Sequence, residues 1–300
     1  MVSHVRRQPH DPVPPGGVSA DSPDRDTALQ RWISHAEAAG PEEMSVVIPA
    51  FNEERQIEKT VGAIVDYMRT RRGRYEIIVS DDGSIDATAD IIEGLEPKAL
   101  PVKLLRTERN RGKGDAVRRG IEASVGELVL VTDADLATPI EEMEALVERI
   151  RAGADIAIGS RGLRDSQLIV RQPRRRELLG RFFNLLVQLT MLPGIFDTQC
   201  GFKLFRGPVA RRLFAHSVVD GFAFDVEVLG LAARAAYSIA EVPVRWYHMD
   251  HSKVSLGRDG LSMFLDMMKV AYRLRTGWYD LAALAAPVGE AQPAAIPEKT

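Results

Sequence analysis

Two aspartates one residue apart, Asp133 and Asp135, close a short apolar run, residues 128–131, that reads as a buried strand. Pro139 follows and stops regular structure. Side chains alternate along extended backbone, so both carboxylates leave the strand end on the same side. Carboxylates brought that close repel each other unless a cation sits between them. Oxygen-only donors suit Mg2+ or Mn2+, ions that commonly bridge to the phosphates of a substrate. The plain alternative is a strand-end turn with two solvated aspartates.

The surrounding elements follow from hydrophobic periodicity. A first strand is expected at residues 45–48, with Asn52 capping a helix over 53–72 whose apolar positions Ile57, Val61, Ile64, Val65 and Met68 keep helical spacing. A strand at 76–79, a helix over 87–95 and a third strand in VKLLR come next. A helix over 115–124, the aspartate strand, a helix over 140–152 and a strand in DIAIGSR complete the run. A short helix is expected over 27–39. Strand alternating with helix predicts an α/β, Rossmann-like fold with a mostly parallel central sheet and helices on both faces. Ligands of such sheets bind beyond the carboxyl ends of the strands. Asn52-Glu53, Asp81-Asp82-Gly83, Asp133-Asp135 and Ser160-Arg161 all fall there.

Several classes are excluded. The first strand runs into PAFNEE, without the glycines of a dinucleotide fingerprint; GKGDAVRRG has the wrong spacing, and no P-loop pattern occurs. A single cysteine, Cys200, excludes a disulfide framework and a zinc site built on cysteines. The net charge of −3 gives no global pull toward nucleic acid, and no nucleic-acid partner is expected. No apolar run reaches the ~18 residues of a membrane span. The N-terminus lacks the apolar core of a secretory signal. A cytoplasmic protein is expected, free or peripheral on the cytoplasmic face of a membrane. Residues 1–25, rich in Pro, Gly, Ser and Asp, are predicted disordered, and 286–300 a flexible tail.

The strings SVVIPAFNEE, VSDDGSIDAT, NRGKGDAVRRG and VTDADLATP resemble the ordered motifs of family 2 glycosyltransferases with the GT-A fold. GSR, FDTQCGFKLF, GFAFDVEVL and EVPVRWYHMDHSK resemble the dolichyl-phosphate glucosyltransferase branch of that family. The resemblance implies one catalytic domain over 44–280, with a nucleotide-sugar half (44–161) and an acceptor-side half (162–280). It implies an inverting hexose transfer from UDP-glucose to a polyprenyl or dolichyl phosphate. A soluble acceptor, or GDP-mannose as donor, is the alternative. Pro49, Glu53 and Asp82 would then hold uracil and ribose, and Asp133 and Asp135 would hold Mg2+ or Mn2+ against the diphosphate, with Asp135 essential to catalysis. Lys113, at a helix start, would meet the diphosphate or the acceptor phosphate. Its plain reading is a surface lysine in a turn.

An anionic acceptor beside an anionic donor calls for arginines. Arg161, Arg164, Arg171, Arg174, Arg175, Arg176 and Arg181 lie between Ser160 and Phe182, against only Asp165 and Glu177. The resemblance assigns Arg161 and Arg175 to the acceptor phosphate, with Lys253 as a further candidate. Asp225 and Glu227 sit at a helix start, where residues two apart do not share a face. Asp225 is taken as the one facing the reaction, as a base or as a carboxylate that orients an arginine. The apolar stretch 178–196 carries one polar stripe, at Arg181, Asn184 and Gln188. Such a helix can lie in a bilayer interface presenting a polyprenyl phosphate, cover the sheet, or meet a second copy in an oligomer.

Overall fold

The computed structural model describes residues 43–71, 73–95, 100–170, 174–248 and 258–285. Segments 1–25 and 286–300 and the helix expected over 27–39 lie outside the described residues. A seven-stranded sheet forms the centre, built from β1 (Met44–Ala50), β2 (Tyr75–Asp81), β3 (Val102–Arg106), β4 (Leu128–Val131), β5 (Ile156–Ser160), β7 (Lys203–Arg206) and β8 (Ile239–Pro243). Its order is β3-β2-β1-β4-β7-β5-β8. β6 (Gln167–Val170) and β9 (Arg245–Tyr247) pair as a separate parallel ribbon.

The strands read as continuous apolar runs because both faces of the sheet are covered. On one face Val46, Ile48, Ile77, Val79, Leu128 and Leu130 meet α1 (Ile57–Thr70) and α4 (Met143–Arg151). On the other, Val47, Ile78, Val129, Val131 and Phe205 meet α3 (Lys113–Glu122), α6 (Gly207–Ala215) and α7 (Phe224–Arg234). Successive residues of one strand feed opposite cores, as the pleat requires. The short helix α2 (Thr88–Glu93) joins β2 to β3.

The chain runs outward through β1, β2 and β3, then crosses to lay β4 on the other side of β1. Connections leaving the carboxyl ends of β1 and β4 therefore diverge and open a crevice between them.

The mostly parallel sheet agrees with the sequence, but four strands, β6, β7, β8 and β9, were not anticipated, and one of them runs against the rest of the sheet. β7 is antiparallel and wedged between β4 and β5, with Lys203–Phe205 facing Val129–Val131 on one side and Ile156–Ile158 on the other. Helix starts also differ. α1 begins at Ile57, and Asn52 does not cap it. Asn52 instead takes φ 55°, its N–H donating to Ser84 Oγ (2.7 Å) and its Oδ1 accepting from the Ile85 N–H (2.8 Å). Asparagine tolerates this left-handed backbone, and its amide staples the loop after β1 to the loop after β2. α3 begins at Lys113, two residues before the expected start.

No helix among the described residues is long and apolar enough to cross a membrane. In α5 (Arg174–Thr190) Asn184 turns inward: its Oδ1 accepts from Thr198 Oγ1 at 3.2 Å, and neighbouring Val187 is buried. Phe182, Leu185 and Leu189 face outward, 50–74% exposed. α8 (Arg258–Thr276), which packs on α5, behaves alike. Met267, Val270, Ala271 and Leu274 bury one face, while Leu261, Leu265, Met268 and Tyr272 line an exposed one. The five-residue α9 (Leu281–Ala285) follows.

Candidate active site

β4 ends where its register with β1 stops, at Val47 opposite Val131. The chain then turns tightly: the Leu136 N–H donates to Asp133 O at 3.2 Å, and Leu136 takes φ 45°. A branched residue in that region is strained and persists only where its surroundings hold it. Thr60 of α1 supplies one such hold, its hydroxyl donating to Ala134 O at 2.6 Å. The turn keeps Asp133 and Asp135 close enough for their charges to interact. Burial, then the Asp133 charge, pushes the Asp135 carboxyl up to about 6.

Asp133 differs because cations surround it. Lys113 Nζ lies 2.5 Å from Asp133 Oδ1. Burial raises the Asp133 carboxyl, but Lys113, with Lys203 and Arg161 farther off, outweighs burial and holds it below the usual carboxylate range. Beneath it is Gly201, where a Cβ would lie 2.0 Å from Asp133 Oδ2. Any larger residue there would push the Asp133 carboxylate aside.

Asp225, in the first turn of α7, is buried with its Oδ1 2.7 Å from Lys203 Nζ. Burial raises its carboxyl, a shift that Lys203 and Lys113 only partly offset. Lys203 also donates to Cys200 O. Glu227 points elsewhere, accepting from the Val218 and Val219 N–H groups and from the Tyr279 hydroxyl (2.6 Å). The two acids of α7 thus diverge as helical spacing demands, Asp225 toward Lys203 and Glu227 into a structural clasp.

On the β1–β2 side, Asp82 accepts from the Arg111 N–H at Oδ1 (2.9 Å) and the Gly112 N–H at Oδ2 (2.8 Å), so it anchors the loop that leads into α3. Burial raises its carboxyl despite these two bonds. Asp81 accepts from Ser84 and builds the turn itself. Pro49 costs the sheet nothing. Val47 O accepts from the Thr132 N–H on the β4 side, so Pro49, two residues on, turns its donorless nitrogen to a place β4 no longer reaches. Glu53 is partly buried, accepts from Gln56 Nε2, and its charge acts on Asp135. Pro49, Glu53, Asp82, Lys113, Asp133, Asp135 and Asp225 therefore gather around the crevice at the switch in strand order.

The arginines are distributed differently. Arg161, just past β5, is bound bidentately to Asp197, Nε to Oδ2 at 2.7 Å and Nη2 to Oδ1 at 2.8 Å. Its N–H also donates to Asp197 Oδ2 at 2.9 Å, and its guanidinium lies 5.5 Å from the Trp246 ring centroid. Burial works against the Arg161 charge, but Asp197 outweighs it and raises the guanidinium above its ordinary value. The Phe196 and Asp197 N–H groups donate in turn to Glu241 (2.8 and 2.9 Å). Arg161 is thus held in a half-buried clamp by Asp197. Arg175 sits in the first turn of α5, and Lys253 lies outside the described residues.

Sequence reasoning overlooked Lys203, Asp197 and Gly201, all within FDTQCGFKLF. One signal was available: by alternation Lys203 shares a face with Phe205, so a strand apolar on both sides carries one inward charge. The acid pair offers oxygen donors only, close together and short of cationic charge at Asp135, which fits Mg2+ or Mn2+. Among the described residues no cluster of three or more His, Cys, Asp or Glu side chains is arranged to enclose a metal.

Comparison with known proteins agrees with this geometry. The model for "Glycosyl transferase family 2" matches residues 45–214. The dolichyl-phosphate beta-glucosyltransferase of Dictyostelium discoideum is 36% identical over 246 residues, spanning 78% of this chain and 75% of that protein. The human dolichyl-phosphate beta-glucosyltransferase is 36% identical over 252 residues, spanning 80% and 78%. In fold, the chain is similar to Mycobacterium tuberculosis glucosyl-3-phosphoglycerate synthase crystallised with Mn2+ and UDP-glucose, with TM-score 0.60, 19% identity, and 81% and 83% of the two chains covered. With its mostly parallel sheet, its acid pair at the strand-order switch and a family match over more than half its length, the chain belongs to the family 2 glycosyltransferases.

Proposed function

We propose that the protein transfers glucose from UDP-glucose to a dolichyl or related polyprenyl phosphate. One observation carries the reading: two acids at the end of β4 are held together, Asp135 of the two short of cationic charge, in a chain whose relatives at 36% identity are dolichyl-phosphate beta-glucosyltransferases. Asp133 and Asp135 would hold Mg2+ or Mn2+, with phosphate oxygens of the donor completing the shell. When bound, the ion offsets the charge that develops on departing UDP. Pro49, Glu53 and Asp82 frame the nucleoside side of the crevice, and Lys113 the diphosphate. An acceptor monophosphate, with a second pKa near ~6, is already ionised at neutral pH and needs no strong base. Asp225, committed to Lys203, therefore acts as a positioning carboxylate. Arg161 shapes the acceptor side through Asp197, with Arg175 and Lys253 as the candidates for the phosphate itself.

The outward apolar faces of α5 and α8 fit a bilayer surface, where a polyprenyl phosphate resides. Trp278, half exposed just beyond α8 with Arg273 stacked on its ring, is the residue pairing found at such interfaces. The test is a panel of nucleotide sugars against short polyprenyl phosphates and soluble phosphorylated acceptors, scored by mass spectrometry. Glucosyl polyprenyl phosphate should form from UDP-glucose and disappear with EDTA. Transfer to soluble acceptors alone, preference for GDP-mannose, or indifference to EDTA would each overturn the reading.

A further inference from the structure

Lys113 is a cation held in place by the acids around it. It opens α3, and the amino end of a helix repels positive charge. The backbone on both sides is fixed. A Cβ at Gly112 would lie 2.2 Å from Asp220 O, and one at Gly114 2.3 Å from Val219 O, so both glycines are pressed against the loop before α7. The Gly114 N–H donates to Asp220 O at 2.7 Å. Between these two anchors the Lys113 side chain reaches Asp133, with Nζ and Oδ1 2.5 Å apart. Asp225 is the next acid whose charge acts on Lys113, and Asp225 is already paired with Lys203 at 2.7 Å. Two acids and two lysines thus alternate: Asp133, Lys113, Asp225, Lys203.

We propose that Lys113 is a stand-in cation that neutralises Asp133 in the empty enzyme and passes to the donor diphosphate when ion and nucleotide enter together. The proposal rests on the donor-site reading above. A divalent ion arriving alone must displace an ammonium from Asp133 and leave that ammonium beside it, a like-charge contact with no new partner, since Lys203 already holds Asp225. A nucleoside diphosphate brings the anion that Lys113 needs. Ion and nucleotide therefore bind cooperatively, and each strengthens the other by the same factor.

The experiment is Mn2+ binding to the full chain, followed by the EPR signal of the free ion, with and without UDP. Wild type should bind Mn2+ weakly alone and about tenfold or more tightly with UDP, within the usual range of coupling between sites. Lys113→Met and Lys113→Gln should bind Mn2+ alone about tenfold more tightly than wild type and lose most of the response to UDP. A lysine that only supported the fold would weaken both measurements when removed. Lys113→Arg should behave as wild type. Unchanged or weaker Mn2+ binding in both neutral variants overturns the stand-in role. Absence of Mn2+ binding by wild type even with UDP overturns the donor-site reading itself.

Discussion

A methyl group at position 201 would press on the functional end of Asp133. The nearest atoms are the carboxylate of Asp133, and the contact would be 2.0 Å. Gly201→Ala should therefore displace Asp133 and lower transfer about a hundredfold or more, the scale of losing one preorganised electrostatic group, with little change in melting temperature. Steady-state rates beside thermal melts check both halves. Arg161→Ala should show the reverse balance. It removes the charged partner of buried Asp197, which keeps only the backbone N–H donors of residues 161 and 199, and taking a hydrogen-bonding partner from a buried group costs about 1–3 kcal/mol. At roughly 2–4 °C per kcal/mol for a domain of this size, the melting point should fall by about 5 °C. A variant that melts with wild type yet fails only with the acceptor would return Arg161 to phosphate binding. Asp133 and Asp135 were legible because spacing and strand end coincide in one short string. Asp197 and Lys203 were not, because their partners, Arg161 and Asp225, lie 36 and 22 residues away and only the folded topology joins them.

At the scale of elements, β1, β2 and β4 were legible as apolar runs ending in polar groups. β7 was not, since KLFR carries no mark of direction or neighbours. Helix starts shifted because side chains of the loops bond across strands: Asn52 serves Ile85 rather than α1, and Asp82 serves the loop before α3. The same long-range bonding holds α7. Glu227 ties its first turn to Val218 and Val219 and, through the Tyr279 hydroxyl, to the segment after α8. Tyr279→Phe removes one of the donors to a buried carboxylate and should cost about 1–3 kcal/mol in urea unfolding. Turnover per folded molecule should stay unchanged, because Glu227 faces away from Asp225 and Lys203. A drop in turnover at full stability would place Glu227 in the reaction.

For the whole molecule, the question is what covers α5 and α8. Leu185 and Leu265 stand 50% and 49% exposed on the two outward faces. Burying a leucine side chain is worth about 1.5–3 kcal/mol, so replacing both with glutamate should weaken binding to vesicles about a hundredfold or more. Co-sedimentation with vesicles containing a polyprenyl phosphate measures it. Transfer to a short, water-soluble polyprenyl phosphate should persist. Retained sedimentation by the double variant would remove these helices from the membrane surface. The periodicity of 178–196 foretold an amphipathic helix, but not the partner of its polar side, since the Thr198 hydroxyl that donates to Asn184 lies beyond the helix.

The insertion of β7 has an outcome for biosynthesis. On the ribosome, a nascent chain that has just completed β5 still lacks the strand that separates it from β4, and both present open edges. The floor under the acid pair arrives only with Gly201, after α5 has been made. A fragment cut at residue 161 should thus expose two unpaired strand edges and tend to self-associate, and the acid pair lacks its floor until residue 201 has been made.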